Sequence, residues 1–259
     1  MDLGLKNKII VVTGGARGIG EGITRLLATE GAIPVIVGRD KPDNLPLVKE
    51  LKSKGLQAEQ VVAELTKPKQ CQSAVESIMK GFNRIDGLVN NAGVNDGVNL
   101  EHGNYERFMQ SLHSNVVHYY LMAHHCLPAL KASKGAIVNI GSKVAETGQG
   151  GTSAYAAANG GRSALTREWA VELLKYGIRV NMVVVAECFT PLYATWIKTF
   201  PDPQEALQKI NARIPLEQRM TTPAEIANMV AFLLSGVSSH TTGQLVHVDG
   251  GYVHLDRAI

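Results

Sequence analysis

The sequence predicts an α/β fold: one doubly wound domain over 1–259, built on a seven-stranded parallel sheet with helices on both faces. Three observations predict it. Short β-branched runs alternate with longer helical stretches along the whole chain. The runs are apolar at successive residues rather than at every second one, as in strands covered on both faces. No internal repeat or low-complexity linker interrupts the alternation. Such alternation implies right-handed crossovers, and it places ligands beyond the carboxyl ends of the strands.

The first strand is 9–13, Ile-Ile-Val-Val-Thr. A glycine-rich turn follows, then a helix with Ile23, Leu26 and Leu27 on one face. Further strands fall at 34–37, around 61–62, and at 87–90, 135–140, 178–185 and 245–248. Helical segments separate them at about 44–54, 68–82, 106–132, 153–175, 203–211 and 223–235. The stretch at about 187–215 is expected to form a substrate-loop segment.

Composition removes several classes. The chain has 259 residues, 45% hydrophobic and 19% charged, enough to bury a core. The net charge is +3, from 26 basic and 23 acidic residues. The basic residues are scattered, so no nucleic-acid partner is expected. Cys71, Cys126 and Cys188 lie far apart and form no pair typical of a zinc site or a disulfide framework. No apolar run approaches the ~18 residues of a membrane span, and residues 1–8 lack the order of a signal peptide. A reduced, cytoplasmic setting without membrane contact is expected.

Thr13-Gly-Gly-Ala-Arg-Gly-Ile-Gly20 lies between a strand and a helix. Glycines let the backbone approach a pyrophosphate, and the helix start offers free N–H groups and partial positive charge. The spacing of Gly14, Gly18 and Gly20 resembles the short-chain dehydrogenase/reductase family, a Rossmann fold. The resemblance continues through Asn90-Asn-Ala-Gly93, Asn115, Ser142, Tyr155, Thr190-Pro191 and Asp249-Gly-Gly251. Within that family, residues 186–193 and 250–257 look most like the L-fucose and related sugar dehydrogenases.

The resemblance implies a nicotinamide dinucleotide held by Gly14, Arg17, Gly18, Ile19, Gly20, Arg39, Glu64, Leu65, Asn91, Ala92, Gly93 and Thr190. Glu64 stands where the family has an aspartate near the adenine. Gly38 stands where NAD-selective members carry an aspartate for the ribose, and Arg39 follows it. A carboxylate would repel a 2′-phosphate, whereas a guanidinium binds one. NADP is therefore favoured, and Asp40 keeps NAD open.

The resemblance also makes Tyr155 the general acid/base, Ser142 the partner of the substrate oxygen and Asn115 part of a water relay. A phenol can donate and accept a proton, and a serine can polarise a carbonyl. The family's lysine, four residues after the tyrosine, is Asn159 here. Position 159 shares the helix face of Tyr155. A unit charge at ~4 Å is worth ~4 kcal/mol at an effective dielectric of ~20, so its loss predicts slow turnover shifted to alkaline pH. Lys143 follows Ser142 but points to the other face of the strand. Arg162 lies ~10 Å further along the helix. Neither is expected to replace the lysine.

Two other readings share this scaffold. A halohydrin dehalogenase would carry arginine at position 159 and lack the cofactor glycines. A cofactor-binding protein without chemistry is supported by Asn159 alone. Glu146, Gln149 and Glu187 are candidate contacts for a polyhydroxylated substrate; the alternative is that they are solvent-facing loop residues. No metal is expected, because His113, His118, His124 and His125 do not converge on one helix. Cys188 is expected in the substrate wall rather than as a nucleophile. A homotetramer is expected through the helices at 106–132 and 153–175, with Leu121, Met122, Trp169 and Leu173 as contact residues. The tail from Tyr252 onward is a further expected contact.

Overall fold

The computed structural model describes residues 2–39 and 44–255. Asp40 and the tail beyond Leu255 lie outside the described residues. The strands are β1 (Ile9–Thr13), β2 (Ile33–Gly38), β3 (Glu59–Val62), β4 (Gly87–Asn90), β5 (Ala136–Ser142), β6 (Arg179–Val185) and β7 (Leu245–Val248). All pair in parallel, in the order β3-β2-β1-β4-β5-β6-β7. Chain direction of growth reverses between β1 and β4, which opens a crevice at their carboxyl ends.

Side-chain alternation along the strands sorts the apolar residues into two layers. Val11, Val35, Leu88, Ile137 and Val180 face one side, against helices α3 (Pro68–Phe82), α5 (His118–Ser133) and α6 (Ser153–Leu173). Ile10, Val12, Val89, Val138 and Val183 face the other, against α1 (Gly18–Thr29) and α9 (Pro223–Leu234). This is why the strand sequences read as unbroken apolar runs. The remaining helices are α2 (Asn44–Ser53), α4 (Tyr105–Leu112), α7 (Pro191–Ile197) and α8 (Pro203–Asn211).

Three expectations need correction. The helix expected over 106–132 is interrupted: a π-type turn, His113–Val117, separates α4 from α5. α7 was not foreseen, although Thr190 caps it by accepting from Tyr193 N at 3.2 Å and Pro191 opens it. The expected interface residues turn inward. Met122, Trp169 and Leu173 are buried in the layer beneath the sheet and Leu121 packs beside it. An apolar stripe at helical spacing serves the core first; the exposed large apolar side chains of α5 and α6 are Tyr120 and Val171.

Candidate active site

β1 delivers the chain to Gly14, whose N–H donates to Val37 O at 2.8 Å. Gly14 and Gly18 have φ of +62° and +54°, the left-handed region that favours glycine. A Cβ at Gly20 would lie 2.2 Å from Gly14 O and 2.6 Å from Asn91 Nδ2. The turn therefore closes on itself and cannot accept a side chain there. Asn91 fixes it from the neighbouring strand, donating Nδ2 to Thr13 O at 2.9 Å and Gly14 O at 3.2 Å. Thr13 Oγ1 accepts in return from the N–H groups of Asn91 and Ala92. The Arg17 side chain makes no capping hydrogen bond to α1. The first-turn N–H groups, which lack partners within a helix, therefore meet the cleft with the positive end of the helix.

A cleft of ≈ 730 Å³ runs along the carboxyl ends of the strands. Every residue expected to hold the dinucleotide lines it: Gly14, Arg17, Gly18, Ile19, Gly20, Arg39, Glu64, Leu65, Asn91, Ala92, Gly93 and Thr190. The glycine cradle and the uncapped helix start fit a pyrophosphate. The Glu64 carboxylate is engaged locally: its Oε1 takes hydrogen bonds from Thr66 N and Oγ1, and its Oε2 lies 3.8 Å from Arg39 Nε. Arg39 is 61% exposed in its side chain, at the open end of the cleft.

Ser142 and Tyr155 line the same cleft. Asn115 and Asn159 do not; both are fully buried behind it. Asn115 Oδ1 accepts from Val94 N at 2.8 Å, tying the π-type turn to the Asn-Ala-Gly loop. Asn159 Nδ2 donates to Tyr155 O at 2.8 Å.

The expectation that Arg162 lies too far away is overturned. Distance along the axis was counted between backbones, but helical side chains slant toward the N-terminus. The Arg162 guanidinium runs back along α6 into the cleft wall. Nη1 donates to Asn159 Oδ1 and Ile140 O, both at 3.1 Å, and Nε to Asn115 O at 2.6 Å. Its carbon lies 4.3 Å from the Tyr119 ring centre and 5.9 Å from that of Tyr155. Burial, and then the Arg162 charge, push the neighbouring His118 imidazole down to about 3.

The three expected substrate contacts are not brought to this cleft. Glu187 turns to Lys143, with which it forms an ion pair beside the site. Lys143 Nζ also lies 3.9 Å over the Tyr252 ring. Glu146 faces a separate depression, where His247 Nε2 is 3.0 Å and His254 Nε2 3.7 Å from its oxygens. These two histidines lie in and after β7, too remote in sequence to suggest the grouping. Gln149 is exposed on the loop. The polar wall is supplied instead by Asn95, Gln110, Ser114 and Tyr193, none of them foreseen. Burial and the Glu187 carboxylate push the Tyr193 phenol up. Cys188 lines the cleft as expected, and burial, then Glu225, push its thiol up to about 12, which keeps it protonated.

A family model described as enoyl-(acyl carrier protein) reductase matches residues 14–253. The chain is 36% identical over 251 residues to a 3-oxoacyl-(acyl-carrier-protein) reductase of Thermotoga maritima, covering 96% of this chain and 99% of that one. It is 32% identical over 245 residues to an L-fucose dehydrogenase of Bos taurus, covering 94% and 88%. The crystal structure of Cj0485 dehydrogenase is similar with a TM-score of 0.95 at 46% identity, over 100% of this chain and 99% of that chain. An actinorhodin polyketide ketoreductase solved with NADPH has a TM-score of 0.91 at 28% identity, over 96% and 98%. A 3-ketoacyl-(acyl-carrier-protein) reductase of Brucella melitensis complexed with NADH has 0.86 at 31%, over 96% and 99%.

Proposed function

Since the chain belongs to the short-chain dehydrogenase/reductase family, as an oxidoreductase working with a nicotinamide cofactor, we propose that it oxidises a hydroxyl of a polyhydroxylated small molecule, an aldose such as L-fucose. The observation that carries this reading is the placement of Ser142 and Tyr155 in the cleft lined by the glycine loop. When bound, a nicotinamide supplies the hydride acceptor. Tyr155 takes the hydroxyl proton and Ser142 holds the same oxygen by a hydrogen bond. Asn95, Gln110, Ser114 and Tyr193 offer further polar groups to the remaining hydroxyls. The L-fucose dehydrogenases among the relatives support the substrate class.

Several finer readings belong to the same proposal. NADP is preferred, because Arg39 and Arg17 line the cleft and Gly38 offers no carboxylate. The segment at about 187–215, which contains α7 and α8, is the substrate loop; its residues Cys188, Thr190 and Tyr193 line the cleft. The protein assembles as a tetramer through α5 and α6 in a cytoplasmic setting; no helix among the described residues is long and apolar enough to cross a membrane. Slow turnover caused by Asn159 rests on a missing cation, and the position of Arg162 weakens that premise.

The test is oxidation of a panel of aldoses and small secondary alcohols with NADP and NAD, alongside reduction of a 3-oxoacyl thioester. Tyr155→Phe should lose ~10²–10⁴-fold in rate while cofactor still quenches protein fluorescence. Turnover of the thioester alone would move the substrate class to acyl carriers. Cofactor binding with no turnover of any compound would show a binding protein without chemistry.

A further inference from the structure

Position 159 lacks the lysine, yet a positive charge stands beside Tyr155. We propose that the Arg162 guanidinium, reaching back along α6, replaces the missing lysine as the cation that favours the Tyr155 phenolate, and that Asn159 is the strut that aims it. The inference rests on the dehydrogenase reading above and deepens it by naming a positioning residue.

Three observations carry it. The first is location. The guanidinium lies within 5.9 Å of the Tyr155 ring centre, lines the cleft, and is 3% exposed as a residue. The second is the nature of its partners. Asn115 O, Ile140 O, Asn159 Oδ1, Asn115 Oδ1 and the Tyr119 ring are all neutral. No carboxylate among the described residues cancels the charge, which a guanidinium keeps when buried. A structural arginine is ordinarily paired when buried this deeply; here the nearest group able to become an anion and to face the cleft is the Tyr155 phenol.

The third observation is that both ends of the residue 159 amide hold the arrangement. Its Nδ2 donates to Tyr155 O and its Oδ1 accepts from Arg162 Nη1. Asparagine supplies one donor and one acceptor for these two tasks. A lysine has no acceptor, and its ammonium would repel the guanidinium. The π-type turn completes the seat. An i→i+5 turn displaces carbonyl groups from the regular ladder, and Asn115 O accepts from Arg162 Nε. The other titratable groups around the pair are His118 and Tyr119 from α5, and Cys188 and Tyr193 from the cleft wall, with the Lys143–Glu187 pair behind Tyr193. Burial, then the Arg162 charge, hold His118 neutral, so it adds no competing cation.

A unit charge ~6 Å away, at an effective dielectric of ~20, changes an ionisation equilibrium by ~10²-fold. The experiment compares wild type, Arg162→Met, Arg162→Lys, Asn159→Lys and the double variant Arg162→Met/Asn159→Lys. Each is assayed as pH–rate profiles on the best alcohol of the panel, with melting temperature and NADPH fluorescence as checks on folding. Arg162→Met should lose ~10²-fold at neutral pH and recover in alkali. Arg162→Lys should keep part of the rate. Asn159→Lys alone should bring no gain, whereas in the double variant the new lysine should restore neutral-pH turnover. A readout independent of turnover is phenolate absorbance at mildly alkaline pH without cofactor, each protein measured against its Tyr155→Phe counterpart; it should shrink in Arg162→Met. If Arg162→Met folds and keeps the wild-type profile, or if Asn159→Lys alone accelerates wild type strongly, the inference is overturned while the dehydrogenase reading stands. If Arg162→Met does not fold, the double variant decides: a folded but slow double variant overturns the inference. Wild type inactive on every alcohol overturns the dehydrogenase reading and this inference with it.

Discussion

Lys143 and Glu187 form an ion pair at the adjoining ends of β5 and β6, with side chains only 7% and 15% exposed. Ser142 lies opposite Val185 in the parallel register, so the next residues of both strands leave the sheet together. Glu187 is thereby committed to an intramolecular cation rather than presented alone to a substrate. Breaking such a pair leaves one desolvated charge, which costs about 3–5 kcal/mol, whereas removing both can be nearly neutral. Lys143→Met is expected to destabilise the protein far more than Lys143→Met/Glu187→Met. Urea unfolding of the two variants checks this, and equal losses would refute the pairing.

Gly20→Ala should cripple cofactor binding. The added Cβ would meet Gly14 O at 2.2 Å, which is backbone and can yield only if the whole turn moves. Overpacking of this kind costs ~1–3 kcal/mol, or roughly 5–150-fold in affinity for NADPH by fluorescence titration. Unchanged affinity would mean that the turn does not hold the dinucleotide.

Arg39→Asp should reverse the cofactor preference. On the NADP reading the guanidinium of Arg39, which lines the cleft, binds the 2′-phosphate, and a carboxylate there would repel one and accept from a ribose hydroxyl. Hydrogen bonds to charged groups are worth ~1.5–3 kcal/mol, so the ratio of NADP to NAD affinity should fall by at least ~10-fold. A ratio that does not change would sink the NADP reading.

Asp86 should make stability depend on acid pH. Burial pushes its carboxyl up, but the Arg84 hydrogen bond, the Ile9 N–H and Lys8 outweigh it and hold it below the usual range. A carboxyl depressed in the folded state contributes stability above its unfolded value of ~3.9 and loses it as pH falls through the folded value. Asp86→Asn should therefore be less stable than wild type by ~1–3 kcal/mol at neutral pH, with the gap closing below about pH 4. Chemical denaturation at several pH values measures it; a gap constant down to strong acid contradicts the assignment.

The sheet was legible because burial on both faces leaves a signature in the central strands: 9–13 and 87–90 match the observed bounds, as does the half-buried edge strand 245–248. The dinucleotide residues were legible because they are backbone positions next to strand ends, where sequence order fixes place. Side chains that reach across the fold were not. Arg162 was misplaced because its Cα, not its tip, was measured along α6. The grouping of Glu146 with His247 and His254 leaves no trace in the sequence because the histidines come from another strand end. Thr190-Pro191 does carry a helix-start signal, beside its part as a family landmark and expected cofactor contact. The π-type turn left no comparable signal in 106–132.

That turn also sets how the chain between α4 and α5 tolerates changes in length. A π-type turn holds one residue more than the α-helical path it replaces. Deleting a single residue within 113–117 would let the segment close into one continuous α-helix with both flanks still in phase. Tyr119, buried with its hydroxyl donating to Ile140 O at 3.1 Å, could keep its place, but the carbonyl of Asn115 would return to the regular ladder and leave Arg162 Nε without its acceptor. The extra residue thus serves the seat of the guanidinium rather than the length of the helix, and its removal should be borne by the fold but felt in the cleft wall.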